Sequence, residues 1–204
     1  IGVDGMTVPA PKPSARKPLA ALAVTAALAF GVSQHEGFRD KSYMPTPEDR
    51  PTLGYGTTFH PDGTPVKMGE QVSKERALIY LHNDLDKFAN AVKRCAPVPM
   101  YDYEFGAMVS VTYNIGEANF CKSSMARRLK AFDYRGACDA LLMWDKQAGK
   151  TLRGLTRRRQ EERSICLGEH ANDDSGTAQS GYARAVDCTH NVALGKQDAC
   201  AYSP

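Results

Sequence analysis

A chain of 204 residues has room for one buried core of roughly 100 to 200 residues, with some length left over at its ends. Its 42% hydrophobic and 24% charged residues exclude a disordered, collagen-like or polytopic membrane chain. The 26 Lys and Arg against 23 Asp and Glu leave a net charge of +3, too small to argue for nucleic acid, and no nucleic-acid partner is expected.

Residues 1–17 form a basic, Pro-rich N-terminal segment, followed by a weakly hydrophobic stretch over 18–33 whose run from Leu19 to Val32 carries no charge. Positive and then apolar is the pattern of an export signal. The run is shorter than the roughly 20 residues of a comfortable membrane span, and its Ala and Gly content makes retention weak. Three readings follow: a signal peptide cut near Ala27-Leu28-Ala29, a weak signal anchor that touches the inner membrane transiently and then leaves it, and an ordinary buried helix.

From Glu36 to about Gly69 the helical period disappears, and Gly54, Gly56 and Gly63 alternate with Pro45, Pro47, Pro51, Pro61 and Pro65. This predicts a small antiparallel sheet with turns. Ser73 then offers an N-cap, and Leu78, Leu81, Leu85, Phe88 and Val92 share one face of a helix ending near Cys95. Beyond Pro97 and Pro99, Phe105, Met108, Val109 and Thr112 predict a buried helix to Asn114, stopped by Gly116. Further helices are expected at about 123–131, 134–148 and 156–166. From 171 to 204 the period fades, which reads as a loosely ordered tail, so the catalytic unit is expected over 34–170. The cluster Arg153, Arg157, Arg158 and Arg159, next to Glu161 and Glu162, reads as a solvated, ion-paired helix face.

Six cysteines, Cys95, Cys121, Cys138, Cys166, Cys188 and Cys200, stand far apart, with no CxxC and no His at ligand spacing, so no metal site is expected. Their even count points to three disulfides in an oxidising compartment; six free thiols are the alternative.

Cleaving a glycosidic bond takes one carboxylic acid to protonate the leaving oxygen and, in the inverting geometry, a second carboxylate to activate water on the opposite face of the sugar. The segment His35-Glu36-Gly37-Phe38-Arg39, then Tyr43, then Glu48-Asp49-Arg50-Pro51-Thr52, could supply the two walls of such a cleft from a helix end and a hairpin. Here the residues resemble a family. Glu36-Gly37-Phe38-Arg39 with Tyr43, Asp49 and Thr52-Leu53-Gly54-Tyr55-Gly56-Thr57-Thr58 resembles the signature of phage-type lysozymes and endolysins, glycoside hydrolase family 24. Tyr113-Asn114-Ile115-Gly116, Phe120-Cys121, Trp144 and Gly154-Leu155-Thr156-Arg157-Arg158-Arg159 with Glu161 resemble its later blocks in order, so the resemblance covers about residues 33–168.

The resemblance implies a mixed α+β lysozyme-like fold, with a small antiparallel sheet lobe, a mainly helical lobe and an active-site cleft between them. It implies hydrolysis of the β-1,4 bond between N-acetylmuramic acid and N-acetylglucosamine in bacterial peptidoglycan, without metal or organic cofactor, by an endolysin of the signal-anchor-release kind. Glu36 would be the general acid, Asp49 the carboxylate that positions water, and Thr52 a hydroxyl that helps hold it, with Tyr55 and Asn114 binding substrate. Where the family pattern has an aspartate two residues after the tyrosine, this chain has Pro45, and Glu48 is the alternative to Asp49. A monomer exported to the host periplasm is expected. A lytic transglycosylase and a non-catalytic peptidoglycan-binding module are the rival functions. For the cysteines we expect Cys95–Cys121, Cys138–Cys166 and Cys188–Cys200.

Overall fold

A computed structural model describes residues 15–169. All but the last three residues of the basic, Pro-rich segment expected over 1–17, and the whole tail expected over 171–204 with its Cys188–Cys200 pair, lie outside the described residues.

The apolar run after Pro18 is folded into the enzyme. A 3-10 turn at Leu19–Ala21 leads to helix α1 (Ala26–Ser33), whose N-cap Thr25 accepts from the Leu28 amide at 3.1 Å. Leu22, Val24, Ala27, Leu28, Ala29 and Val32 are all buried in the common core. Among the described residues no helix is long and apolar enough to cross a membrane. Just before this run, Arg16 grips the Glu104 carboxylate and lies between the rings of Tyr101 and Tyr134, while Lys17 exchanges backbone hydrogen bonds with Met100.

The expected sheet follows. β1 (Arg39–Tyr43) pairs antiparallel with β2 (Thr52–Gly54), opposing Arg39 to Gly54 and Tyr43 to Thr52 with an irregularity between. β1 is largely exposed, whereas β2 is buried throughout. Gly54 turns the chain at φ +64°, and a Cβ there would lie 2.8 Å from that of Ala77, so only glycine lets the strand approach the following helix.

That helix, α2 (Lys74–Cys95), starts at Ser73, whose hydroxyl accepts from the Arg76 amide, and it buries Ala77, Leu81, Leu85, Ala89 and Val92 along one stripe. It links the sheet to α1 and to the central helix α3 (Asp102–Ile115). α3 is buried continuously from Glu104 to Thr112 and ends at Gly116 with φ +86°. Of the short helices α4 (Glu117–Lys122), α5 (Ser124–Lys130) and α6 (Tyr134–Asp139), α4 packs on α3 while α5 and α6 pack on each other, and α7 (Arg153–Cys166) packs along α3.

Two helix boundaries differ from expectation. The helix expected over 134–148 stops at Asp139, continues as a 3-10 turn at Ala140–Met143, and gives way to a hairpin of β3 (Lys146–Gln147) and β4 (Lys150–Thr151). Its turn residues Ala148 and Gly149 both have positive φ, +48° and +78°, as a tight two-residue turn demands. α7 begins at Arg153 rather than near 156. Two disulfides staple this lobe, Cys95–Cys121 between α2 and α4 and Cys138–Cys166 between α6 and α7, the expected pairings.

Candidate active site

The architecture sets Glu36 between its two lobes, three residues past the end of α1 and three before β1. Its side chain is 24% exposed, and its Oε1 accepts a hydrogen bond from Arg158 Nη1 of α7 at 2.8 Å. The acid is therefore held from the far end of the chain, across a separation of 122 residues. Neighbouring His35 is drawn down to about 4, first by burial and then by the guanidiniums of Arg158 and Arg159. These effects outweigh the exposed Glu161 carboxylate 3.5 Å from its Nε2, so His35 is neutral at pH 7.

On the sheet side, Pro45, Glu48, Asp49, Arg50, Thr52, Gly56 and Thr58 line a cleft of about 500 Å³. Asp49 and Glu48 are exposed in the turn between β1 and β2. Asp49 Oδ2 accepts from the Thr46 hydroxyl at 2.9 Å, and its amide donates to the Thr46 carbonyl at 3.1 Å, which fixes the carboxylate locally. Thr52 is buried at the start of β2, and its hydroxyl donates to the Arg50 carbonyl at 3.1 Å, leaving oxygen lone pairs to accept a further bond. Asp49, Glu48 and Thr52 thus share one wall.

Glu36 lies outside that lining, and Tyr113 connects it to the cleft. The Tyr113 hydroxyl donates to the Tyr55 carbonyl at 2.8 Å, and a Cβ at Gly56, which lines the cleft, would fall 3.1 Å from the same oxygen. Burial raises the Tyr113 hydroxyl well above its ordinary range, and the nearby negative charge of Glu36 pushes it further. Tyr55 itself is buried, with its ring against Phe38 at 5.4 Å between centroids. Asn114 is exposed at the end of α3, and its side-chain oxygen accepts from Arg159 Nη2 at 3.0 Å. Trp144 is half-buried against the helical core.

The arginine run corrects a sequence expectation. Arg157 is exposed, but Arg158 and Arg159 are 5% and 0% exposed, not members of a solvated face. They share the buried carboxylate of Glu162, which also accepts from Ser110 at 2.7 Å. The signal was available in the spacing of Leu155, Arg158, Arg159, Glu162 and Cys166, which is the period of a core-facing helix stripe whose middle happens to be ionic. No group of three or more potential metal-binding side chains occurs among the described residues.

A half-buried carboxylic acid clamped by arginine beside a cleft carrying a second, better-solvated carboxylate and a hydroxyl is suited to acid-assisted attack of water. The phage lysozyme family model matches residues 33–162. An SAR-endolysin of Enterobacteria phage P21 is 33% identical over 162 residues, covering 76% of this chain and 96% of that protein. A mutant of the lysozyme of Salmonella phage P22 superposes with a TM-score of 0.64 at 32% identity, covering 72% of this chain and 99% of the solved chain. The muramidase domain of SpmX from Asticaccaulis excentricus gives a TM-score of 0.64 at 29% identity, with coverage of 72% and 98%.

Proposed function

This chain belongs to the phage lysozyme family, and from that premise we propose that it is a muramidase whose general acid is Glu36. It is a glycoside hydrolase of the endolysin type and acts on peptidoglycan in the cell wall, with the lysozyme-like α+β fold described above. The bond cut is the β-1,4 link between N-acetylmuramic acid and N-acetylglucosamine.

The observation that carries the assignment of roles is the Glu36–Arg158 contact beside the cleft of Asp49 and Thr52. In its protonated form Glu36 donates to the glycosidic oxygen as the bond to the leaving sugar lengthens. Asp49, exposed on its turn, takes a proton from a water on the opposite face, and the Thr52 hydroxyl oxygen helps orient that water. Asn114, steadied by Arg159, offers its side-chain amide N–H to the sugar. Tyr55 acts on substrate binding by shaping the cleft beside Gly56, through the carbonyl that Tyr113 holds.

Export to the host periplasm, with a first transient tether to the inner membrane through residues 18–33, fits the uncharged run and the SAR-endolysin name of its relative. In the folded enzyme described here that run is instead buried in the core. The enzyme works as a monomer, in which the run at 18–33 packs with the unit expected over 34–170 in one core, followed by a C-terminal tail over 171–204.

Mass spectrometry of sugars released from purified sacculi tests this reading. Muropeptides with a reducing end are expected. Anhydro-sugar ends would transfer the chain to the lytic transglycosylases, and binding without any release, by a folded and oxidised protein, would leave only a peptidoglycan-binding module.

A further inference from the structure

Two buried arginines sit behind the acid, and a single buried carboxylate serves both. Glu162 Oε1 accepts from Arg158 Nε at 3.1 Å and lies 3.4 Å from Arg159 Nη2, while Oε2 is 3.0 Å from Arg159 Nε. Ser110 of α3 completes the set with its hydroxyl at 2.7 Å. The Arg158 guanidinium consequently bridges two acids, with Nε on Glu162 and Nη1 on Glu36. Pairing in the cluster is ionic more than hydrogen-bonded: among the described residues, Arg158 Nη2, Arg159 Nε and Nη1, and Glu162 Oε2 are buried without a hydrogen-bond partner, although Arg159 Nε and Glu162 Oε2 lie 3.0 Å apart.

Charge follows from this geometry. With Glu36 ionised, two guanidiniums face two carboxylates. When Glu36 carries a proton, one positive charge is in surplus, and without Glu162 the surplus would be two. A buried positive excess beside a carboxyl group favours its ionised form, which cannot act as an acid.

We propose that Glu162 is a positioning residue for the general acid: it fixes the Arg158 fork on Glu36 and cancels the charge that would otherwise strip Glu36 of its proton. This rests on the reading of Glu36 as the acid. Glu162 touches no substrate and acts only through Arg158 and Arg159. The other groups facing this cluster are accounted for. His35, beside Glu36, is neutral at pH 7, with the guanidiniums of Arg158 and Arg159 on one side and the exposed Glu161 carboxylate 3.5 Å away on the other; from α3, Tyr113 is uncharged and Asn114 meets Arg159; from α2, Asp84 acts on Tyr113. Glu162 is the one buried carboxylate in the set; burial holds its carboxyl above the ordinary range, and the two arginines and Ser110, all within hydrogen-bond or ion-pair distance, pull the other way.

The test is the pH dependence of kcat on solubilised peptidoglycan strands, using the full oxidised chain. A general acid loses activity as pH rises past the point where it gives up its proton, so the alkaline limb reports on Glu36. Glu162→Gln should move that limb to lower pH by roughly one unit. Arg159→Met, which removes a positive charge instead, should move it to higher pH, and the double variant should return it towards the wild type. A role confined to packing would lower kcat at every pH and leave the limb in place. Limbs unmoved in folded variants would overturn the proposal. Should Glu162→Gln not fold, the direction of the Arg159→Met shift decides alone. Turnover retained by Glu36→Gln would instead overturn the reading of the acid on which the proposal rests.

Discussion

The two walls of the cleft are built in opposite ways. Glu36 is fixed by a buried ionic network anchored in α7 and α3, while Asp49 sits on an exposed turn and is steadied only by Thr46 three residues away. Glu36 in the proposed role of acid has to be held in one orientation and partly shielded from water, which takes groups distant in sequence and a folded core behind them. Asp49 in the proposed role of water-positioning carboxylate has to stay solvated, which a turn provides with local bonds. The contrast implies that the buried groups behind Glu36, Arg158 above all, couple stability to catalysis, whereas on the second wall the two are separable.

The coupling is tested most severely at Arg158. Arg158→Met strands the Glu162 carboxylate against a single arginine and frees Glu36. A loss of about 3–5 kcal/mol is expected in urea unfolding, together with a large fall in kcat. A variant as stable as the wild type would show that the buried network is not what holds this wall. Next in size is the staple beneath it. Removing Cys138–Cys166, which spans 28 residues and ties α7 to α6, in a Cys138→Ala/Cys166→Ala variant should cost about 3 kcal/mol, read as a lower melting temperature than that of the oxidised wild type.

His35 gives a smaller, pH-dependent effect on the same wall. Its folded value is depressed from 6.5 to about 4, so the fold favours the neutral ring. The unfolded chain takes up the proton first as pH falls. The stabilisation is therefore complete above about pH 6.5 and is lost progressively between 6.5 and 4. Allowing for partial exposure, it amounts to about 2 kcal/mol, and His35→Gln should flatten this part of the stability profile. An unchanged slope would count against burial of the neutral ring.

The exposed wall should separate the two properties. Asp49→Asn is expected to change unfolding free energy by less than about 0.5 kcal/mol, since the amide oxygen can still accept from Thr46, while turnover falls by about 100-fold. Glu48→Gln should leave both nearly unchanged. The reverse result for the pair would assign the second carboxylate to Glu48.

The same contrast explains what could be read from the sequence. The exposed wall is local, so Pro and Gly punctuation located the hairpin, and Asp49, Glu48 and Thr52 do line one cleft. α2 was legible because Leu81, Leu85 and Val92 keep helical spacing behind the Ser73 cap. The buried wall was only half legible. Glu36 stood out within its motif, but its partner lies 122 residues away, and a run of arginines beside glutamates looks like a solvated face when only charge is read. Burial of Arg158 and Arg159 depends on α3 supplying Ser110 and Asn114, which no local window contains. The hairpin at 146–151 reads as helix in the sequence because nothing in Lys146-Gln147-Ala148-Gly149 opposes helix until Gly149, and Ala148 at φ +48° is imposed by the turn. The uncharged run at Leu19–Val32 has the composition of a weak anchor and of a core helix alike, and in the folded chain it is packed as the latter.

The most direct test of the central claim is turnover of peptidoglycan by Glu36→Gln. The amide oxygen keeps an acceptor for Arg158, so the melting temperature should change little, but the side chain can no longer deliver a proton to the leaving sugar. The account predicts a loss of about 10² to 10⁴ in kcat in a protein that still binds sacculi. Turnover within a few-fold of the wild type would contradict it and move the acid elsewhere in the cleft.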